Sequence, residues 1–315
     1  ENCAEGVLVT STITRGEVTR IDKDSVLSMP GVIAVIDDER LITRPAQGTA
    51  NEAPQQKPKS VSYWGQPIAL VVAETFEQAR DAAKHLKVEY REDEGAPLSP
   101  DAVEPEEQEG ETVHQGDLAH AMAQAAHSVD VTFTTKGHSS AAMEPHAAIA
   151  QWDGECLTVH ASLQMLNYNI TELADAVGLA ESKVRLISRF VGGGFGSKLG
   201  ISEDVVSASL AAMQLGRPVR VVLSRQQVLQ CIMRRSETTQ RFRLAADENG
   251  RLTGFGHEAL VSTLPGESFA EPVLQSSHFL YAGQNRELML KLARIHRMTA
   301  GSVRAPGEAV GMPAL

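Results

Sequence analysis

The sequence predicts a mixed α/β (α+β) protein of two domains. Three observations predict it. An apolar run, "PIALVVA" at 67–73, is followed at once by a capped helical pattern and a second strand pattern. An acidic, proline-bearing stretch then interrupts the chain near residue 100. Beyond it, strand and helix patterns mix again, with a glycine-rich loop set between a strand and a helix. At 315 residues and 42% apolar content the chain can bury a substantial core, and its length suits about two domains of ~150 residues.

Taken in order, "ENCAEGVLVTS" reads as a strand already under way, so the first domain is expected to lack its opening strand. The run at 67–73 has no polar alternation, as in a strand covered on both faces. Thr75 with Gln78 three residues on has capping-box spacing, and Phe76, Ala79, Ala83 and Leu86 share one helical stripe. "LKVEY" returns as a strand and completes a strand–helix–strand unit. Residues 92–111 hold nine acidic residues, three prolines and no Lys or Arg. Like charges repel and proline interrupts regular structure, so this is a solvated linker. The expected division is therefore 1–95, a linker at 96–112, and 113–315.

In the second part "AHAMAQAAHSVDVTFTT" is helical and then strand-like, and 156–162 is a strand with Gln164 just past its end. Leu166, Ile170, Leu173, Ala174 and Val177 space as a helix that Gly178 stops. "KVRLIS" is the next strand, and the glycine loop follows it. "EDVVSASLAAMQLG" is a helix ending at Gly216, "RPVRVVLSR" a strand, and 241–261 a hairpin turning at Asn249-Gly250.

Charge and composition exclude several classes. The net charge is 29 − 40 = −11, which lacks the basic footprint of a nucleic-acid binder or of a protein that docks on anionic membranes. No apolar run reaches the ~18 residues of a membrane span, so no direct membrane insertion is expected. No signal peptide and no initiator Met are visible, and the start reads as a processed or cut end. Cys3, Cys156 and Cys231 are far apart without a CxxC pair, so they are expected as buried free thiols. They support neither a zinc site nor an iron–sulfur cluster.

The loop "FVGGGFGSKLG" at 190–200 has five glycines in eleven positions. Bare amides between a strand and a helix can approach an anion closely. The spacing fits neither GxxxxGK[ST] nor GxGxxG. A tight turn with close helix–strand packing accounts for the loop alone equally well. Gln164, past a strand end, has an amide that both donates and accepts. In a second loop, "SVRAPGEAVG" at 302–311, Arg304 could hold an anion. Glu144, His146 and His138 suggest a metal site, but Pro145 fits a strand start better. GxSxG is absent, so a serine hydrolase has no support.

Four stretches in order, "GQPIALVVAETFEQARDAAKHLKVEY", "MEPHAAIAQWDG" with "LTVHASLQ", "VGGGFGSK" and "SVRAPGEA", resemble the molybdopterin-binding subunit of the xanthine dehydrogenase/aldehyde oxidase family. They look most like the large subunit of bacterial periplasmic-type aldehyde oxidoreductases, and the chain looks like an N-terminal portion of it. The resemblance implies a partial α/β hammerhead domain followed by the first half of the molybdenum-cofactor-binding domain. It implies a molybdenum–molybdopterin cytosine dinucleotide, held by Gln164, Gly193, Gly194, Phe195, Gly196, Val303 and Arg304. Molybdenum would be held by the pterin dithiolene, with no direct metal ligand here. Leu199 would face the substrate, where purine-hydroxylating members carry Glu; an apolar residue suits aldehydes, aromatic ones especially. Ser197 stands where Gly is common in the family.

The implied reaction is hydroxylation with water as oxygen source: RCHO and H2O give RCOOH, two protons and two electrons. The base Glu is expected in a C-terminal half outside this chain, so no catalytic residue is assigned here. The chain alone is expected to be incomplete as an enzyme. With no cluster motif and no dinucleotide fingerprint, the [2Fe–2S] centres and FAD are expected on partner subunits, giving a heterotrimer. Two other readings stay open: N-heterocycle hydroxylation of the isoquinoline or nicotinate type, and a non-catalytic scaffold half. The resemblance allows a periplasmic protein exported on a partner's signal, or a cytoplasmic one.

Overall fold

The computed structural model describes residues 2–41 and 59–315. It divides into two compact units. One comprises Glu1–Ala96, Ser140–Ile232 and His296–Met298; the other comprises Pro97–Ser139, Met233–Ile295 and Thr299–Leu315. Residues 140–232 pack with the N-terminal segment. The reason is strand pairing. Ala4–Thr10 lies between Pro67–Ala73, which it pairs antiparallel, and Val219–Val222, which it pairs parallel.

The first unit is built on a seven-stranded sheet. Its order is Val184–Ile187, Leu157–Ala161, Ala147–Trp152, Val219–Val222, Ala4–Thr10, Pro67–Ala73, Val32–Ile36. All seven residues of Pro67–Ala73 are buried, as the unbroken apolar run requires. Ala69 and Val71 pack with Val26, Val35, Ala82 and Leu86, while Ile68 packs with Ile13, Val18 and Val61. The following helix, Phe76–His85, carries the expected capping box between Thr75 and Gln78. Its strand partner Lys87–Glu92 joins a different, three-stranded sheet with Gly16–Asp22 and Ser60–Val61, so the strand–helix–strand unit spans two sheets.

Helix Glu203–Leu215 is buried from Asp204 to Ala212. Its small side chains let it lie close on the sheet, and its serines satisfy themselves: Ser209 Oγ donates to the Val205 carbonyl at 2.7 Å. Helix Leu166–Val177 ends at Gly178, whose φ of 74° is the left-handed cap the sequence predicts.

The second unit is a six-stranded sheet: Glu106–Glu107 and Val113–Gln115 on one side of Asn285–Arg294, then Leu252–Thr263, Thr238–Ala246 and His127–Thr135. The hairpin forms as predicted, through a longer loop over 247–251 with Gly250 at φ 77°. Within the acidic stretch Glu106–Glu107 pairs with Asn285–Arg294 as an edge strand, and Glu106 reaches Arg294 at 3.1 Å. The cysteines are free, but only Cys231 is buried; Cys3 and Cys156 are half-buried. Among the described residues no helix is long and apolar enough to cross a membrane.

Candidate functional site

The site in the first unit follows from one parallel strand pair. Leu157–Ala161 and Val184–Ile187 run parallel, so their C-terminal ends open on the same side of the sheet. Gln164 leaves the first strand and the glycine loop leaves the second. They meet through Lys198, whose carbonyl accepts the Gln164 N–H at 2.8 Å. Gln164 Oε1 accepts the N–H groups of Gly196 (3.2 Å) and Lys198 (3.3 Å). With its oxygen occupied by amides, the Gln164 amide nitrogen is a donor without a partner among the described residues.

Between Gly192 and Gly196 the chain turns tightly, with φ of 96° at Gly193, 54° at Phe195 and 101° at Gly196. For Phe195 this is a strained left-handed conformation. The N–H groups of Gly193, Gly194 and Phe195 have no hydrogen-bond partner among the described residues. Three consecutive free donors, beside the free amide of Gln164, form a cradle for a ligand rich in acceptor atoms. Two of the glycines serve side chains of the chain itself. A Cβ at Gly194 would sit 2.3 Å from Gln164 Oε1, and one at Gly192 would sit 2.5 Å from Glu144 Cβ.

The loop is anchored from below. Lys198 has a fully buried side chain and bonds Glu144 Oε2 at 2.6 Å. Glu144 Oε2 also accepts Ser162 Oγ (2.7 Å) and the Gly192 N–H (2.8 Å). Burial pushes the Glu144 carboxyl up, but these three bonds outweigh it and hold it below the usual carboxylate range. His146 Nε2 donates to the Ser197 carbonyl at 3.0 Å, and burial pushes its pKa down. Further along, Asn169 Nδ2 donates to the Leu199 carbonyl at 2.7 Å, so helix Leu166–Val177 holds the end of the loop. Leu199 itself is half-buried.

Glu144 and His146, read in sequence as metal-ligand candidates, are instead an ion-pair anchor and a ring N–H donor to the Ser197 carbonyl. Among the described residues no group of three His, Cys, Asp or Glu side chains is placed to hold a metal ion. The structure brings together Gln164, Gly193, Gly194, Phe195, Gly196 and Leu199. Val303 and Arg304 belong to the second unit. There Val303 is buried, while the Arg304 side chain is exposed and has no partner among the described residues. Their backbone is held by Arg235, which donates to the carbonyls of Val303 (2.9 Å) and Arg304 (2.5 Å).

Sequence reasoning missed the anchors Lys198, Ser162, Arg235 and Glu271. The one available signal was a lysine inside a glycine loop that leads into the small-residue helix Glu203–Leu215.

The fold and this cradle define a mixed α/β protein that presents bare amides and a glutamine amide to a polar ligand. Residues 102–315 match the molybdopterin cofactor-binding domain. Residues 1–94 match the aldehyde oxidase and xanthine dehydrogenase a/b hammerhead domain. The chain belongs to the aldehyde oxidase and xanthine dehydrogenase family of molybdopterin-binding proteins. It is 40% identical, over all of its length and 43% of the relative's, to the aldehyde oxidoreductase molybdenum-binding subunit PaoC of Escherichia coli (strain K12). It is 29% identical to the nicotinate dehydrogenase large molybdopterin subunit of Eubacterium barkeri, over 84% of this chain and 64% of that one. The aldehyde oxidoreductase from Desulfovibrio gigas shares the fold, with a TM-score of 0.85 at 23% identity over 99% of this chain and 37% of that one. The chain thus spans less than half the length of the PaoC relative.

Proposed function

We propose that this chain supplies the glycine-loop side of the cofactor site in a molybdenum hydroxylase that oxidises aldehydes to carboxylic acids, with water as the oxygen source. The observation that carries the reading is the run of free amides at Gly193, Gly194 and Phe195 beside the free Gln164 amide. Those donors fit the oxygen-rich molybdopterin group that the family binds. When bound, that cofactor supplies the redox chemistry, taking two electrons from the substrate. The chain's own part is to bind and orient. Gln164 keeps its oxygen on the Gly196 and Lys198 amides and turns its nitrogen, as donor, to the ligand. The amides of the loop present fixed dipoles that need no reorganisation on binding.

Val303 and Arg304, in the second unit, are proposed as further cofactor residues on the family likeness, with the Arg304 guanidinium, which has no partner among the described residues, suited to an anionic group. Leu199 lines the substrate side as an apolar residue. The cytosine dinucleotide form, a [2Fe–2S] subunit, an FAD subunit and the remaining part of the molybdenum subunit complete the proposed assembly. The names of the PaoC and nicotinate dehydrogenase relatives include the word subunit, which supports a multi-chain enzyme. The aldehyde version is favoured by the PaoC likeness and by Leu199. The nicotinate dehydrogenase likeness favours a second reading, hydroxylation of an N-heterocycle.

Elemental analysis of the complex from its native source, with release of the pterin nucleotide, tests the cofactor. About one molybdenum per subunit with cytosine nucleotide is the expected result. A correctly assembled complex without molybdenum would sink the reading. A panel of aromatic aldehydes and N-heterocycles then separates the two substrate classes.

A further inference from the structure

We propose that Lys198 and Glu144 are positioning residues for the free amides of the glycine loop, acting on them from both ends at once. The proposal rests on the molybdopterin reading above. Lys198 holds the Gln164 end of the cradle directly and the Gly192 end through Glu144. Its backbone carbonyl and N–H bond the Gln164 N–H (2.8 Å) and Oε1 (3.3 Å). Its side chain bonds Glu144 Oε2 at 2.6 Å, and that oxygen receives the Gly192 N–H at 2.8 Å. Glu144 also donates its own N–H to the Gly192 carbonyl at 3.2 Å. Gln164 and Gly192 are thereby fixed relative to one another through the Lys198–Glu144 pair. The amides of 193–195 lie in the chain between Gly192 and Gly196, the latter already held by Gln164.

The network has no donor left for a ligand. The ammonium of Lys198 has three oxygen partners: Glu144 Oε2, Ser162 Oγ at 3.2 Å and the Glu144 carbonyl at 3.3 Å. Ser162 gives its own proton to Glu144 Oε2 at 2.7 Å. Lys198 has a fully buried side chain and its donors are spent, so it cannot touch substrate; its effect is on geometry. Stability alone does not require the pair: Lys198 is buried and Glu144 is 37% exposed, and apolar side chains commonly replace ion pairs drawn out of water without loss. An apolar pair, however, cannot accept the Gly192 N–H.

This difference sets the experiment. The double variant Lys198→Met/Glu144→Met, made in the full-length subunit within its complex, removes the charges together and leaves neither buried alone. Three quantities are read: melting temperature, amide hydrogen exchange of peptides over 188–200, and molybdenum content. The expected result is a melting temperature near wild type, exchange in that segment faster by about tenfold or more, and molybdenum content falling in step. The tenfold scale is that of losing a hydrogen bond to a charged group. A double variant with wild-type exchange and wild-type molybdenum would overturn the proposal. If the double variant does not fold, Ser162→Ala carries the test, since it keeps the pair and removes one donor from Glu144. It should quicken exchange and lower molybdenum in the same direction by a smaller factor, and no change in either would overturn the proposal. Wild-type complex without molybdenum would instead bring down the molybdopterin reading, and this inference with it.

Discussion

Arg235 and Glu271 lie 2.6 Å apart with side-chain exposures of 3% and 0%, and the segment 303–307 is wound on the pair. Arg235 donates to the carbonyls of Val303, Arg304 and Ala305, and Glu271 Oε1 accepts the Gly307 N–H at 2.7 Å. The guanidinium fork suits this task, since it reaches several acceptors from one planar group. Arg235→Leu would strand a buried carboxylate and release three carbonyls. The expected loss is about 3–5 kcal/mol, read from urea unfolding with an unchanged slope. Arg235→Lys keeps the charge without the fork, and should lose less than the leucine variant while still loosening the loop. A leucine variant as stable as wild type would show that the pair does not hold this loop.

Gly194 exists for Gln164. An added Cβ would meet Gln164 Oε1 at 2.3 Å and Cδ at 2.7 Å. Gly194→Ala should therefore push the glutamine off the Gly196 and Lys198 amides, at about 1–3 kcal/mol of overpacking cost, with loss of cofactor. In the Gln164→Ala background the clash has no partner, so Gly194→Ala should then be nearly silent for stability. A double-mutant cycle on melting temperature and molybdenum content reads the coupling directly. Additive effects would place the glycine's role elsewhere.

Helices Phe76–His85, Leu166–Val177 and Glu203–Leu215, strand Pro67–Ala73 and Gln164 beside its glycine loop were legible because each writes a local pattern; strands Gly16–Asp22, Val32–Ile36 and Asn285–Arg294 write none that was read. The capping box at Thr75 and the stop at Gly178 are signals within a few residues, and both form. Pro67–Ala73 announced its burial by having no polar face. Partnerships across the chain left no such trace. Nothing near Ala4–Thr10 indicates that it pairs with Val219–Val222, two hundred residues on, and so merges the two sequential segments into one sheet. Glu144 and Lys198 were each visible as residues, yet the pair closes only when two separate loops meet. The pairing of Glu106 with Arg294 is of the same long-range kind, closed between segments far apart in the chain.

Leu199 offers a test of substrate class on the same loop. It follows Lys198 directly, and its carbonyl is pinned by Asn169 at 2.7 Å, so a change of side chain need not disturb the backbone. Leu199→Glu would place a charged acceptor on what we propose is the substrate side. The kcat/KM for an apolar aromatic aldehyde should fall by about tenfold or more, while that for an N-heterocycle with a ring N–H should fall less or rise. Equal effects on both would remove Leu199 from the substrate pocket.

His257 should make stability fall with acid. It lies in the second unit, stacked on Phe242 with ring centroids 3.9 Å apart, with Nδ1 bonded to Ser277 Oγ at 2.7 Å. Its side chain is buried, and Nε2 has no partner. Burial disfavours the charged ring and pushes its pKa down from 6.5 to about 3. Between those values the unfolded chain takes up a proton that the folded chain refuses, so protonation favours unfolding. The stabilisation is complete above about pH 6.5 and is lost as pH falls towards 3. The slope from this group alone is about 1.4 kcal/mol per pH unit. His146 and His296 are also pushed down by burial, so the total slope is shared. Subtracting the stability–pH curve of His257→Phe from that of wild type isolates the one residue. The difference should be flat above pH 7 and decline below it; a flat difference throughout would mean that the folded ring takes up its proton as readily as the unfolded one.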